Sequence, residues 1–146
     1  MTLSHTVWAS EIAASADLPD LRLDKRLTAI LVDTLESPSA SIPEAAGDEG
    51  QATATYRFYA NDRVTATALR QGVALVTARR CLDQDVLLVV QDTTTLNFTG
   101  LRGIAELGPI DSGGLARGVH LHTALALTPS GQVIGSTPRG ILVKAH

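Results

Sequence analysis

The chain of 146 residues carries one cysteine, Cys81. A single thiol closes no internal disulfide, so a disulfide-stapled secreted scaffold is excluded and a reducing cytoplasm is the expected compartment. Aromatic residues are scarce at 3%, which leaves aliphatic side chains to build the core. No uninterrupted apolar run approaches the ~20 residues that span a bilayer. The opening Met1-Thr2-Leu3-Ser4-His5 lacks the basic segment and apolar stretch of a secretory signal, so no membrane partner is expected. Positive charge is not in excess either: twelve Lys and Arg stand against fifteen Asp and Glu, for a net charge of −3. Phosphate affinity comes from neutralisation by Lys and Arg, so binding of nucleic acid by the whole surface is excluded, while a local basic patch is not.

What is present is a sizeable apolar fraction, 45%, enough for a real core. Up to about Asp83 its spacing is helical. Ser4 is the expected cap for a helix over residues 5–16, with Trp8, Ile12 and Ala16 on one face. Leu18-Pro19-Asp20 breaks it, and a second helix over 21–36 carries the stripe Leu23, Leu27, Ile30, Leu31 and Leu35. Ser41-Ile42-Pro43-Glu44 has the form of a capping box that opens a short helical turn ending at Gly47. Further helices are expected over 49–59 and from after Thr65 to about Leu82, the last burying Leu69, Val73 and Val76.

After Asp83 the pattern changes. Val86-Leu87-Leu88-Val89-Val90 is a continuous apolar run, suited to a strand covered on both faces and ending just before Asp92. Residues 100–118 are glycine-rich and read as a loop. Residues 119–127 alternate as a strand, Thr128-Pro129-Ser130-Gly131 is a turn, and residues 132–135 begin a returning strand. The organisation expected is therefore a helical module, 1–83, followed by the start of a sheet, 84–146, in a mixed α/β (α+β) class.

Three sets of residues could carry chemistry. Asp92 follows a strand, where ligand sites of open α/β sheets gather, and its hard oxygens suit Mg²⁺ or Mn²⁺. Asp is also a common turn residue, and from position alone a cap on a turn with Thr93 and Thr94 is the simpler reading. His120 and His122 share a face of the second strand. Two ligands make an incomplete zinc site, and a packed, hydrogen-bonded pair is the simpler reading. Cys81 reads as a small core residue rather than a nucleophile. Finally, Arg22, Lys25, Arg26, Arg57, Arg63, Arg70, Arg79 and Arg80 put eight of the twelve basic residues in the helical half. Helices of that kind either track a phosphate backbone or present ordinary solvated faces.

Several segments in order resemble one family. Trp8-Ala9-Ser10-Glu11, then Ala16 to Leu27 (ADLPDLRLDKRL), Ser41-Ile42-Pro43-Glu44-Ala45-Ala46-Gly47, Ala54-Thr55-Tyr56-Arg57-Phe58-Tyr59-Ala60-Asn61, Val89-Val90-Gln91-Asp92-Thr93-Thr94 and Gly118-Val119-His120-Leu121-His122 are similar to bacterial insertion-sequence transposases of the DDE cut-and-paste type, in the transposon-five group. The resemblance runs from about Trp8 to Gly135. It implies a helical domain that recognises double-stranded transposon ends, joined to a ribonuclease-H-like core. In that core two Asp and one Glu hold two Mg²⁺ (or Mn²⁺) ions for in-line phosphoryl displacement. Asp92 matches the first Asp, as catalytic and metal ligand, and Arg22, Lys25, Arg26 and Arg57 are the candidates for DNA contacts.

The departures shape the expectation as much as the match. No second Asp or Glu of the family pattern occurs in the 146 residues, and Asp111 sits in the glycine-rich loop. Pro138 and Gly140 fit poorly in a continuing core strand. The expectation is thus an N-terminal, truncated transposase segment with an incomplete ribonuclease-H-like sheet. It would bind ends in the bacterial cytoplasm, at the nucleoid, hold no metal tightly and lack strand-transfer activity. The alternatives are a regulatory fragment acting through DNA, self-association or full-length transposase, and a decayed gene product whose apolar strand edge invites aggregation.

Overall fold

A computed structural model describes residues 4–39, 41–101, 103–105 and 107–142, with the side chains of 137–142 excepted. The chain divides into two compact units, Met1–Val76 and Thr77–His146.

In the first unit each helix starts where a short polar side chain can satisfy free backbone N–H groups. Helix α1, His5–Ser15, begins with Ser4 Oγ accepting from Val7 N at 3.4 Å. The left-handed backbone of Asp17 (φ 48°) redirects the chain, and Asp20 caps α2, Leu21–Glu36, its Oδ1 accepting from Arg22 N and Leu23 N. Helix α3, Ile42–Ala46, has Pro43 in its first turn and stops at Gly47, whose φ of 73° suits a residue without Cβ. The expected Ser41 cap does not form. Ser39 Oγ accepts from Ser41 N and donates to Glu44 instead, so the polar clasp sits two residues earlier. Asp48 caps α4, Glu49–Tyr59, through Gln51 N at 2.8 Å. Thr65 Oγ1 accepts from Ala68 N at the start of α5, Ala66–Cys81.

The apolar stripes meet in one cluster of Ala13, Ala16, Leu23, Leu27, Ile30 and Phe58, flanked by Leu18, Leu31, Val64 and Leu69. Phe58 is its only aromatic member, so it provides the largest apolar surface at the contact of α4 with α2. Helices α1 and α5 pack through small residues. A Cβ on Gly72 would stand 2.6 Å from the Ile12 carbonyl oxygen and 3.0 Å from Ala16, so only glycine permits this approach.

The second unit is an antiparallel sheet. Strand β3, Arg117–Leu127, is central, with β1, Leu88–Asn97, on one side and β4, Val133–Leu142, on the other. The two-residue β2, Gly108–Pro109, also pairs with the start of β3. The β1–β3 register runs from Leu88 opposite Leu127 to Asn97 opposite Gly118. There the strands close up so far that a Cβ on Gly118 would fall 2.0 Å from the Leu96 carbonyl oxygen. Thr77, in the last turns of α5, donates to the carbonyl of Ser136 at 3.2 Å and so joins that helix end to β4.

Three expectations for this half need correction. The apolar run Val86 to Val90 is not covered on both faces: Val86, Leu88, Val89 and Val90 are each about half exposed, from 47% to 57%. Among the described residues β1 pairs with β3 alone, which makes it an edge, and an apolar composition states a preference for burial without supplying the partner. The strand also continues through Asp92 to Asn97 rather than stopping at Val90, because Gln91, Thr93 and Thr95 find partners across on β3. Finally, β4 runs through Pro138 and Gly140. The register slips between them, with Thr123 opposite Pro138 and His122 opposite Gly140, so Arg139 is the extra residue of a bulge. Edge strands and bulges are where a sheet tolerates proline.

Candidate nucleic-acid interface

Along the helical unit an arginine repeatedly precedes a core residue: Arg22 before Leu23, Arg26 before Leu27, Arg57 before Phe58 and Arg63 before Val64. One step around a helix is about 100°, so each of the three helical arginines emerges beside the buried stripe instead of opposite it. Arg22 and Arg26 are four apart on α2 and share a face, as Ala54 and Arg57 do on α4. When Leu23 and Phe58 pack, the two flanks come together.

The result is an open groove of about 530 Å³ with Leu23, Phe58 and Ala54 in its lining, edged by Asp20, Arg22, Arg26, Arg57, Asn61 and Arg63. Four guanidiniums against one carboxylate give it a net charge of +3 on a chain whose total is −3. The patch that overall composition concealed is thus local.

The arginines differ in how they are held. Arg26 Nη1 donates to Gln51 Oε1 at 2.7 Å, which fixes one edge of its guanidinium and leaves donors on the other. Arg63 Nη1 lies 3.2 Å from Asp20 Oδ2, and Arg22 Nη2 lies 3.6 Å from the same oxygen. Asn61 Oδ1 accepts from the Arg63 backbone N–H, closing the turn that carries it. Arg57 is exposed and has no ion pair or side-chain hydrogen bond among the described residues. The Asp20 carboxyl is held below its ordinary value of 3.8, first by the Leu23 backbone N–H, then by that of Arg22 and by the charges of Arg22 and Arg63, against an opposing effect of desolvation. It is therefore ionised at neutral pH.

Of the residues singled out from sequence, Arg22, Arg26 and Arg57 meet in this groove, whereas Lys25 is exposed and outside its lining. Asp20 and Asn61 join them without having been selected, as does Arg63, which was named among the basic residues of the helical half but not among the candidates for DNA contacts. The arginine-before-core spacing was a signal for Arg63; nothing local marked Asp20 beyond its place before a helix.

Asp92 lies elsewhere, in the middle of β1 opposite Thr123. It is exposed, and its Oδ1 accepts from the adjoining Thr93 N–H at 2.7 Å. Strand alternation puts it on the sheet face opposite His120 and His122. Those histidines are engaged on their own face. His122 Nδ1 meets Thr93 Oγ1 at 2.8 Å, its Nε2 meets Gln91 Oε1 at 3.2 Å, and His120 Nδ1 meets Thr95 Oγ1 at 3.1 Å. Among the described residues no three His, Cys, Asp or Glu side chains converge as metal ligands. Asp92 by itself does not make the donor set that a pair of Mg²⁺ ions needs, because such ions share several carboxylate oxygens. No described helix is long and apolar enough to cross a membrane.

Residues 5–64 match the family model described as transposase DNA-binding. The matched segment runs from the first residue of α1 to the turn after α4, and every residue lining the groove falls inside it. The match supports a transposase N-terminal region whose partner is DNA.

Proposed function

We propose that this chain binds double-stranded DNA through the arginine groove, with Arg26 and Arg57 meeting backbone phosphates and the α2–α4 scaffold setting their spacing. The observation that carries the reading is the convergence of four arginines on one open groove within the DNA-binding match. A groove this open suits a phosphate backbone lying across it, with guanidinium forks as donors to phosphate oxygens. The duplex read in this way is the end of an insertion sequence of the DDE class.

The test is fluorescence anisotropy with a labelled mixed-sequence 20-base-pair duplex in a salt series. Each phosphate contact contributes a slope of about −0.9 to log K against log salt. Arg57→Ala and Arg26→Ala should each flatten the slope by about that amount while far-UV circular dichroism stays unchanged. Folded variants that bind as the parent chain does, with the same slope, would sink the reading.

The same reading gives Asp92 the place of one carboxylate in a ribonuclease-H-like metal site. What supports it is an exposed hard-oxygen donor on the strand that follows the helical unit. One carboxylate does not position two metal ions, so the chain binds DNA without cleaving it and acts on ends as an occupant or as a partner of intact enzyme. Incubation of the chain with end-containing DNA and Mg²⁺ or Mn²⁺ should leave the DNA intact; nicking abolished by Asp92→Asn would refute this.

A further inference from the structure

Asp20 is out of place in a phosphate-binding groove unless its charge has a task there. Its two oxygens are divided. Oδ1 accepts the backbone N–H groups of Arg22 and Leu23 and caps α2, while Oδ2 faces Arg63 at 3.2 Å and Arg22 at 3.6 Å. A carboxylate between two guanidiniums stands where a phosphate oxygen would stand. Arg26 and Arg57 have no such anion: Arg26 is held by a neutral amide, and Arg57 has no partner among the described residues.

We propose that Asp20 is a specificity-determining residue of the groove, an internal phosphate mimic that pairs with Arg63 and offsets the charge of the more exposed Arg22, so that duplex DNA of arbitrary sequence meets only Arg26 and Arg57 without an opposing carboxylate in this groove. The inference rests on the groove being the DNA-binding surface. The Asp20 carboxylate lowers affinity for any backbone, and so leaves a larger share of binding to contacts that depend on sequence or shape. An anion so close to the duplex also repels phosphates that approach in a poor register.

Asp20→Asn separates charge from capping, because Asn serves as an N-cap about as well as Asp. With the mixed-sequence 20-base-pair duplex as probe, the variant should bind tighter and with a steeper salt slope. The change is about 0.9 per released arginine, which corresponds to about eightfold in affinity at 0.1 M salt relative to 1 M. A purely structural role would not steepen the slope. Arg63→Ala supplies the coupling test. With Asp20 present it should leave the slope close to that of the parent, and in the Asp20→Asn background it should flatten the slope by about 0.9.

If Asp20→Asn fails to fold, the comparison of Arg63→Ala with Arg57→Ala in the parent chain decides, since only the second should flatten the slope. An unchanged slope in folded Asp20→Asn, or equal flattening by Arg63→Ala and Arg57→Ala with Asp20 in place, overturns the proposal. Should Arg57→Ala itself change nothing, the groove reading falls first and takes this one with it. If Arg57→Ala weakens binding while the Asp20 and Arg63 effects are additive, Asp20 alone loses its role.

Discussion

The groove depends on a helical unit whose tightest crossing can be tested by adding one methyl group. In Gly72→Ala the new Cβ would meet the Ile12 carbonyl oxygen at 2.6 Å and the Cα and Cβ of Ala16 at 3.0 Å. Ordinary van der Waals contact begins near 3.4 Å, so α5 has to withdraw from α1 by roughly 0.5–1 Å. A gap of that size forfeits about a quarter to a half of each dispersion contact. The atoms in the way belong mainly to backbone and cannot rotate aside, which puts the overpacking cost at the upper end of the usual range, about 3 kcal/mol. Alanine recovers about 1 kcal/mol of helix propensity, leaving a net loss of about 2 kcal/mol. For a urea dependence of about 1.5 kcal/mol per molar, the unfolding midpoint followed by circular dichroism should fall by about 1.3 M. On propensity alone the change would stabilise the protein. A variant with a midpoint equal to or above that of the parent would therefore refute the close crossing.

Phe58→Ala should cost about 3–5 kcal/mol, because it empties the one aromatic position in the core cluster; calorimetry measures this, and a loss below about 1 kcal/mol would contradict the packing described. For Asp20, the folded carboxyl lies below its unfolded value of 3.8. Its ionisation therefore contributes stability that is full above that value and is lost as pH falls through the lower folded value. Acid unfolding of Asp20→Asn should lack that component, and superimposable acid transitions of the two proteins would contradict the assignment. On the exposed edge, Val89→Lys should reduce concentration-dependent light scattering, since a charge on a free strand edge opposes sheet-to-sheet pairing. Unchanged scattering would mean that β1 is not the adhesive surface.

The helical half was legible because its signals are local. Ser4 before α1, the stripe of Leu23, Leu27 and Ile30 in α2, and the glycine after α3 each act within a few residues of where they stand. The sheet was legible only in part. The turn at Thr128 to Gly131 forms as expected, with Gly131 at φ 86°. The length of β1 is another matter. It continues past Asp92 through pairs such as Thr93 with His122 and Thr95 with His120, whose members are more than twenty residues apart. Pro138 argued against a strand on grounds that hold for a central position, and β4 takes it at a bulge.

The two candidate sites differ in what each requires of the chain. A metal centre of the two-ion kind needs carboxylates brought together from distant segments, so Asp92 can match a motif in sequence and still lie on an exposed strand with no cluster of metal-ligating side chains around it among the described residues. An arginine groove needs only two helices whose basic residues flank their buried stripes. The contact of Leu23 with the Phe58 side of α4 is enough to assemble it, and each basic edge was already written beside the apolar residue that packs. That explains why Arg22, Arg26 and Arg57 could be selected from sequence, and why Lys25, which precedes no core residue, falls outside. It also explains why Asp20 was passed over. As a helix cap it had a sufficient local reason to exist, and its second oxygen acquires a meaning only once Arg63 arrives from the far end of α4.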